Sequence, residues 1–258
     1  MGRLHSFGFT RSPGGCATIA LVAHVPRLYL PGHIAPGPLT VTGESAQRLS
    51  SVMRVRHGDP LLLFAGDGHE WQATVSDVSR GSVRLEIAGI VRQVPLPVLA
   101  IEIWCAIVRP NRFDWMLEKV TEAGADIIRP LLCDHSARGE GGSAARRERW
   151  QRVVIEASEQ SGRLHVPVIT EPARFADLLT HPRTPLIVAH LEGARAWGES
   201  AALLPARGAV AVAIGPEGGF SPAEIAAAKA HGALLTSLGP NILRTETAAL
   251  AATVLLRA

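Results

Sequence analysis

The chain has 258 residues, of which 47% are apolar and 19% charged, and a formal charge of +3 at pH 7. Those proportions exclude a disordered or fibrous chain. The longest apolar run near the start, Ala17 to Val25, falls far short of the ~20 residues that span a bilayer, so no membrane partner is expected. Three cysteines, Cys16, Cys105 and Cys133, are odd in number and form no CxxC pair. That pattern points to a reduced, cytoplasmic setting without a disulfide framework.

The charge is unevenly placed. Residues 1–92 hold nine arginines against six acids, whereas the basic and acidic residues of 93–258 balance. Only Lys119 and Lys229 are lysines. A planar guanidinium suits phosphate because it donates two parallel hydrogen bonds. An arginine-favouring codon bias explains the composition equally well, so charge admits a nucleic-acid partner without requiring one.

Residues 1–25 contain no acid and read as an N-terminal extension without regular structure. From 26 to 92 the text is β-rich. A short helical pattern, Glu44 to Arg54, puts Leu49, Val52 and Met53 on one face. Strands at Leu61–Phe64, Trp71–Val78 and Ser82–Val91 follow, with the turn Ala65-Gly-Asp-Gly68 between the first two. Short strands joined by Gly/Asp turns predict a small barrel, and Val94-Pro95-Leu96-Pro97 is a stiff linker.

From 98 onward the rhythm becomes strand–helix alternation, which predicts an α/β domain with a mostly parallel sheet over 98–258. Leu99–Val108 reads as a strand. Asn111 reads as the cap of a helix that buries Phe113, Met116, Leu117 and Val120 and stops at Gly124. A second helix follows Ser143 and buries Trp150, Val153, Val154 and Ala157. Its arginines, Arg146, Arg147, Arg149 and Arg152, suit a solvated face or RNA contact.

Two later segments carry the chemistry. The uncharged strand Ala209–Ile214 runs into Gly215-Pro216-Glu217-Gly218-Gly219-Phe220, and Ser221-Pro222-Ala223-Glu224 then opens a helix with a capping-box pattern. Glycines let a ligand approach the backbone. The loop lacks the glycine spacing of a dinucleotide fold and the Gly-Lys-Ser/Thr of a phosphate loop. Taken alone it is also readable as a tight strand-to-helix turn. The second segment, Ser237 to Ala248, joins a strand at Leu234–Leu238 to a final helix and places Ile242-Leu243 inside a polar loop beside Arg244 and Glu246. Apolar residues in such a loop suit a flat ligand such as adenine. No HxxxH or paired cysteines suggest a metal.

With Arg27-Leu-Tyr-Leu, His57-Gly-Asp59, Phe64–Gly68, Leu117–Gly124 and Glu156–Arg163, these two loops closely resemble the ribosomal RNA small subunit methyltransferase E family of SPOUT methyltransferases. The resemblance runs from Arg27 to the C-terminus. It implies a PUA-like RNA-binding β-barrel followed by a SPOUT-type α/β domain with a C-terminal trefoil knot. It also implies a homodimer, S-adenosyl-L-methionine as donor, and N3-methylation of a uridine in the decoding region of 16S ribosomal RNA in the small ribosomal subunit. Carried onto this chain, Ala189, His190, Ile214, Gly215, Pro216, Glu217, Gly218, Gly219, Leu238, Gly239, Ile242, Leu243 and Arg244 bind the donor. The chain departs from the family's pattern at Asn241, where arginine is usual, and at Ser136-Ala-Arg138, where arginine usually adjoins serine.

Uridine N3 must lose its proton, so the reaction calls for a base or for cations facing the uridinate. Glu246 is the candidate base, with Arg244 or Arg163 as electrostatic partner; a carboxylate in that place also suits the start of a helix. Arg27, Arg54, Arg56 and Arg138 are the candidate RNA contacts. A non-catalytic RNA-binding or ribosome-assembly protein is the first rival, and a SPOUT methyltransferase with a different RNA target is the second. The intact glycine loop argues against the first.

Overall fold

A computed structural model describes residues 6–9, 19–22, 25–136, 143–180 and 184–258. The chain divides into two compact units, Met1–Val94 and Pro95–Ala258.

Within the extension, β1 (Ser6–Phe9) and β2 (Ile19–Val22) pair antiparallel, so a two-stranded ribbon occurs where no regular structure was expected. The rest of the first unit is a five-stranded mixed sheet. It is built from β3 (Arg27–Tyr29), β4 (Gly37–Thr42), β5 (Pro60–Phe64), β6 (His69–Ser79) and β7 (Ser82–Gln93). Their order is β3-β5-β6-β7-β4, an open path with β3 and β4 at its ends. Three register irregularities between β6 and β7 curl the sheet, as bulges do. Alternate residues of β6 and β7, Ala73, Val75, Val83, Leu85 and Ile87, point into the core. The short helix α1 (Gly43–Gln47) continues as a π-helical turn, Arg48–Val52, and buries Ala46 and Leu49 in the same core. The chain leaves that turn through Arg54 at φ 54°, the only non-glycine residue with positive φ among those described.

The second unit is an eight-stranded sheet. Its strands are β8 (Leu99–Ala106), β9 (Ile127–Leu132), β10 (Val168–Ile169), β11 (Ala173–Arg174), β12 (Leu186–Ala189), β13 (Arg195–Ala196), β14 (Gly208–Ile214) and β15 (Leu234–Ser237). The central order is β9-β8-β14-β12-β15, and every pairing is parallel. The interior strands β8 and β14 are buried on both faces and apolar but for Glu102, whose carboxylate Arg129 pairs. One face carries α2 (Pro110–Ala123), α3 (Ala144–Ser161) and α7 (Thr245–Arg257), and the other carries α4 (Phe175–Leu179) and α6 (Pro222–Ala230). A sixth helix, the short α5 (Trp197–Ala201), adjoins β13 and β15.

Helix boundaries follow local chemistry. Proline at N1 needs no N–H partner, so α2 starts at Pro110 with Arg109 as its cap, two residues before the Asn111 cap expected. It ends at Gly124, whose φ of 110° an L side chain resists. Ser143 caps α3 by accepting from the Arg146 amide. Ser221 and Glu224 close a reciprocal capping box on α6. On α7, Ala248, Ala249 and Ala252 are buried, and small side chains there let α2 and the sheet pack close. Leu250, Ala251, Val254 and Leu255 form the opposite stripe, where Val254 is 50% and Leu255 39% exposed. The helix, apolar almost all the way round in sequence, is thus covered on about half of its surface.

Candidate active site

Strand β12 lies between β14 and β15, all three parallel, so their carboxyl ends share one edge of the sheet. In open α/β sheets ligands bind outside that edge, where the chain order reverses. Here the order reverses at β12, because β14 follows on one side and β15 on the other. The three loops that leave this edge are Ala189-His190, Gly215–Phe220 and Leu238–Arg244, so the structure brings all the expected donor-binding residues to one place.

The loops are braced to each other and to their neighbours. The His190 amide donates to the Thr236 carbonyl at 3.0 Å. Thr245 Oγ1 donates to the Gly215 carbonyl at 2.9 Å, which ties the start of α7 to the glycine loop. Ser237 Oγ donates to the Gly239 carbonyl at 2.8 Å and fixes the turn at the head of the last loop. From the far side, His135 Nδ1 lies 3.1 Å from the carbonyl oxygens of Gly218 and Gly219. Its neighbour Asp134 accepts from Ser221 Oγ at 2.6 Å and donates its amide to Glu224 at 3.1 Å. The turn after β9 therefore clamps both the glycine loop and the cap of α6.

Exposure differs along the loops. Glu217, Gly218, Gly219, Gly239, Asn241 and Arg244 face solvent, and Ile242 is 85% exposed. No other large apolar side chain among the described residues is as exposed as Ile242. Leu238, Leu243 and Ala189 are half-buried against the core beneath.

Glu246 stands apart from these. It is 8% exposed, and Oε2 is buried with no hydrogen-bond partner among the described residues. Its other oxygen lies 3.8 Å from Arg112 Nε. The same guanidinium donates Nη1 to Glu217 Oε1 at 3.0 Å. Arg112 thus links the first turn of α2, the glycine loop and the first turn of α7. A buried carboxylate oxygen without a donor is costly, and such orphans in a native fold call for an explanation.

Arg163 is elsewhere. Its guanidinium donates to the carbonyls of Thr121, Ala125 and His165 and to Asp126. Burial lowers its pKa and the Asp126 carboxylate opposes that shift. Asp126 also pairs with Arg257 at the far end of α7, eleven residues from Glu246, which is roughly 16 Å along the helix. Arg163 locks the end of α2 to β9, and within the chain it is Arg112, not Arg163, that lies beside Glu246. Arg27 is likewise committed, since with Arg92 it holds the buried carboxylate of Glu70. Arg54 and Arg56 are exposed, and Arg138 lies outside the described residues.

A model described as an RNA methyltransferase domain matches residues 94–257, and one described as an RNA methyltransferase PUA domain matches residues 49–88. The Ribosomal RNA small subunit methyltransferase E of Synechocystis sp. is 32% identical over 84% of this chain and 72% of its own. That of Bacillus subtilis is 30% identical over 82% and 86%. The chain belongs to the ribosomal RNA small subunit methyltransferase E family. A solved family member, from Neisseria gonorrhoeae bound to S-adenosyl methionine, is 32% identical and superposes with a TM-score of 0.81 over 91% of this chain and 97% of that one.

The residues at the loops of this family member fit that donor. A Cβ at Gly218 would come within 3.2 Å of the His135 side chain, and one at Gly215 within 3.1 Å of the Phe220 ring. The loop is therefore kept bare and closely backed, with Gly219 at φ 71° and Gly239 at φ 140° completing turns that other residues resist. Bare backbone beside the exposed Ile242 and half-buried Leu243 suits a flat adenine and its ribose.

Arg112 and His135 escaped the sequence reading. Arg112 was hidden in what reads as a helix start, although its position just past the carboxyl end of β8 is where a parallel sheet places function. His135 carries no motif, and only the fold brings it to Gly218.

Proposed function

We propose that this chain transfers the methyl group of S-adenosyl-L-methionine to N3 of a uridine in the decoding region of 16S ribosomal RNA. The observation that carries this reading is the convergence of three braced loops at the β12/β14/β15 edge beside the buried, unpartnered carboxylate of Glu246. Bound there, the donor supplies an electrophilic methyl group on a sulfonium centre, and displacement at such a centre needs no metal.

Ala189, His190, Ile214–Gly219, Leu238, Gly239, Ile242, Leu243 and Arg244 hold the donor. Glu246 accepts the N3 proton of the uridine, and a carboxylate with a vacant oxygen is free to do so. Arg112 fixes the other oxygen of Glu246 and, with the exposed Arg244, stabilises negative charge on the uridine ring as the proton leaves. Exposed Arg54 and Arg56, in the charge-rich first unit, bind RNA phosphates, and Arg138 adds to them.

The Gly215–Phe220 and Leu238–Arg244 loops form a trefoil knot in this reading. The outward stripe of α7 is covered by a second copy, giving a homodimer related by a two-fold axis. Burial pushes the Cys133 thiol up to about 12 and raises Cys105 as well. Two buried thiols without a disulfide accord with a reduced cytoplasmic setting, where ribosomal RNA is also found. No helix among the described residues is long and apolar enough to cross a membrane.

The test is direct. Purified protein, labelled donor and small ribosomal subunits lacking the mark should yield N3-methyluridine on digestion to nucleosides. Label in any other nucleoside would overturn the assignment.

A further inference from the structure

Adjacent glycines turn more freely than any other pair of residues, so a ligand that settles on them must first freeze them. Within the loop after β14, the Gly219 amide donates to the Pro216 carbonyl at 2.8 Å and closes one turn. That bond leaves the carbonyls of Gly218 and Gly219 unset. Both are set from outside by one side chain of a different element, since His135 Nδ1 lies 3.1 Å from each.

The side chain that does this is itself held. His135 sits in the tight turn Cys133–Ser136. The Ser136 amide donates to the Cys133 carbonyl at 2.9 Å, and the Cys133 amide donates to Ser136 Oγ at 3.0 Å. Asp134 fastens the same turn to the start of α6 through Ser221 Oγ and Glu224. The fit is close as well, because a Cβ on Gly218 would meet His135 Cβ at 3.2 Å. A bracket fixed at its own base and bonded to two successive carbonyls preorganises a loop, so less ordering remains for the ligand to impose.

The chemistry of the contact fixes its direction. A carbonyl oxygen only accepts, so the ring nitrogen between two of them carries the proton, and Nε2 of the neutral ring is left bare. In a planar trans peptide the N–H points opposite the C=O. Drawing the Gly218 carbonyl to His135 therefore turns the Gly219 amide away, toward its acceptor on Pro216. Drawing the Gly219 carbonyl likewise turns the Phe220 amide away from His135. One donated proton thus sets two peptide planes. We infer that His135 is a positioning residue for the methyl donor: its Nδ1–H presets the Gly218 and Gly219 peptides, and donor affinity depends on that hydrogen bond. The inference rests on the placement of the donor at this loop proposed above.

His135→Leu keeps much of the bulk and removes the proton, whereas His135→Asn keeps a donor where Nδ1 stood. The side chain is exposed, so both variants should fold, with Tm within about 3 °C of the parent. By calorimetry the Leu variant should bind S-adenosylmethionine about tenfold more weakly, and the Asn variant within about threefold of the parent. With small ribosomal subunits as substrate, the Leu variant should show a KM for donor raised by a similar factor and kcat at saturating donor within about twofold. In the parent without donor, the ring nitrogen NMR shifts of His135 should place the proton on Nδ1. A Leu variant that binds like the parent, an Asn variant as weak as Leu, or a proton on Nε2 alone would overturn the assignment. A Gly218→Val protein that binds donor like the parent would instead remove the donor from this loop, and the role of His135 with it.

Discussion

Replacing Glu246 by Gln keeps the shape of the side chain and removes its basicity. In the fold, the buried Oε2 without a partner costs about 1–3 kcal/mol, which an uncharged amide relieves in part. Against that, the amide forfeits the attraction of Arg112 at 3.8 Å and the favourable place of an anion in the first turn of α7, the latter worth about 0.3–1 kcal/mol. These terms oppose each other, so stability should change by no more than about 1 kcal/mol and Tm by no more than about 4 °C. Activity should respond quite differently. Loss of a positioned general base lowers kcat by about 10²–10⁴, or roughly 3–5 kcal/mol of barrier. Single-turnover methylation of small subunits, with calorimetric donor binding and thermal melts on the same preparation, separates the two effects. A Gln variant with kcat within tenfold of the parent would refute the base. A fall in Tm of about 10 °C with parallel loss of donor binding would show that Glu246 only holds the helix start.

Gly218→Val sets a branched side chain against His135, where even a Cβ comes within 3.2 Å, and should weaken donor binding at least tenfold by calorimetry. Arg54→Ala/Arg56→Ala should flatten the salt dependence of RNA binding by about two units while leaving donor affinity unchanged. Val254→Glu alters a side chain that is 50% exposed and that the proposed dimer covers, so the chain should fold, but light scattering should find it monomeric where the parent is dimeric, with methylation lost.

Periodicity and caps made most of the elements readable. The apolar strand Ala209–Ile214, the Ser221/Glu224 box and the Gly124 stop are local chemistry, and each lies where the pattern puts it. The candidate site was legible where its residues form one continuous loop, as at Gly215–Gly219. It was illegible where the groups around that loop are brought together across the sheet. Arg112 meets Glu246 only because α2 packs on α7, and His135 meets Gly218 only because the turn after β9 reaches across to the loop after β14. The same holds for Arg163, which sits in a matching stretch of sequence yet spends its donors on the end of α2. Sequence order carries no information on which end of a long helix a residue will meet. The half-covered α7 is similar, since composition reports that a helix is apolar and not how many of its faces its own unit reaches.

Ribosomal RNA from cells lacking this gene gives the most direct test of the proposed methylation. Mass mapping of their 16S RNA should show a single decoding-region uridine without its N3 methyl group, restored by the parent gene and not by the Glu246→Gln gene. A map identical to that of wild-type cells would rule out the methylation, and restoration by the Gln variant would rule out Glu246 as its base.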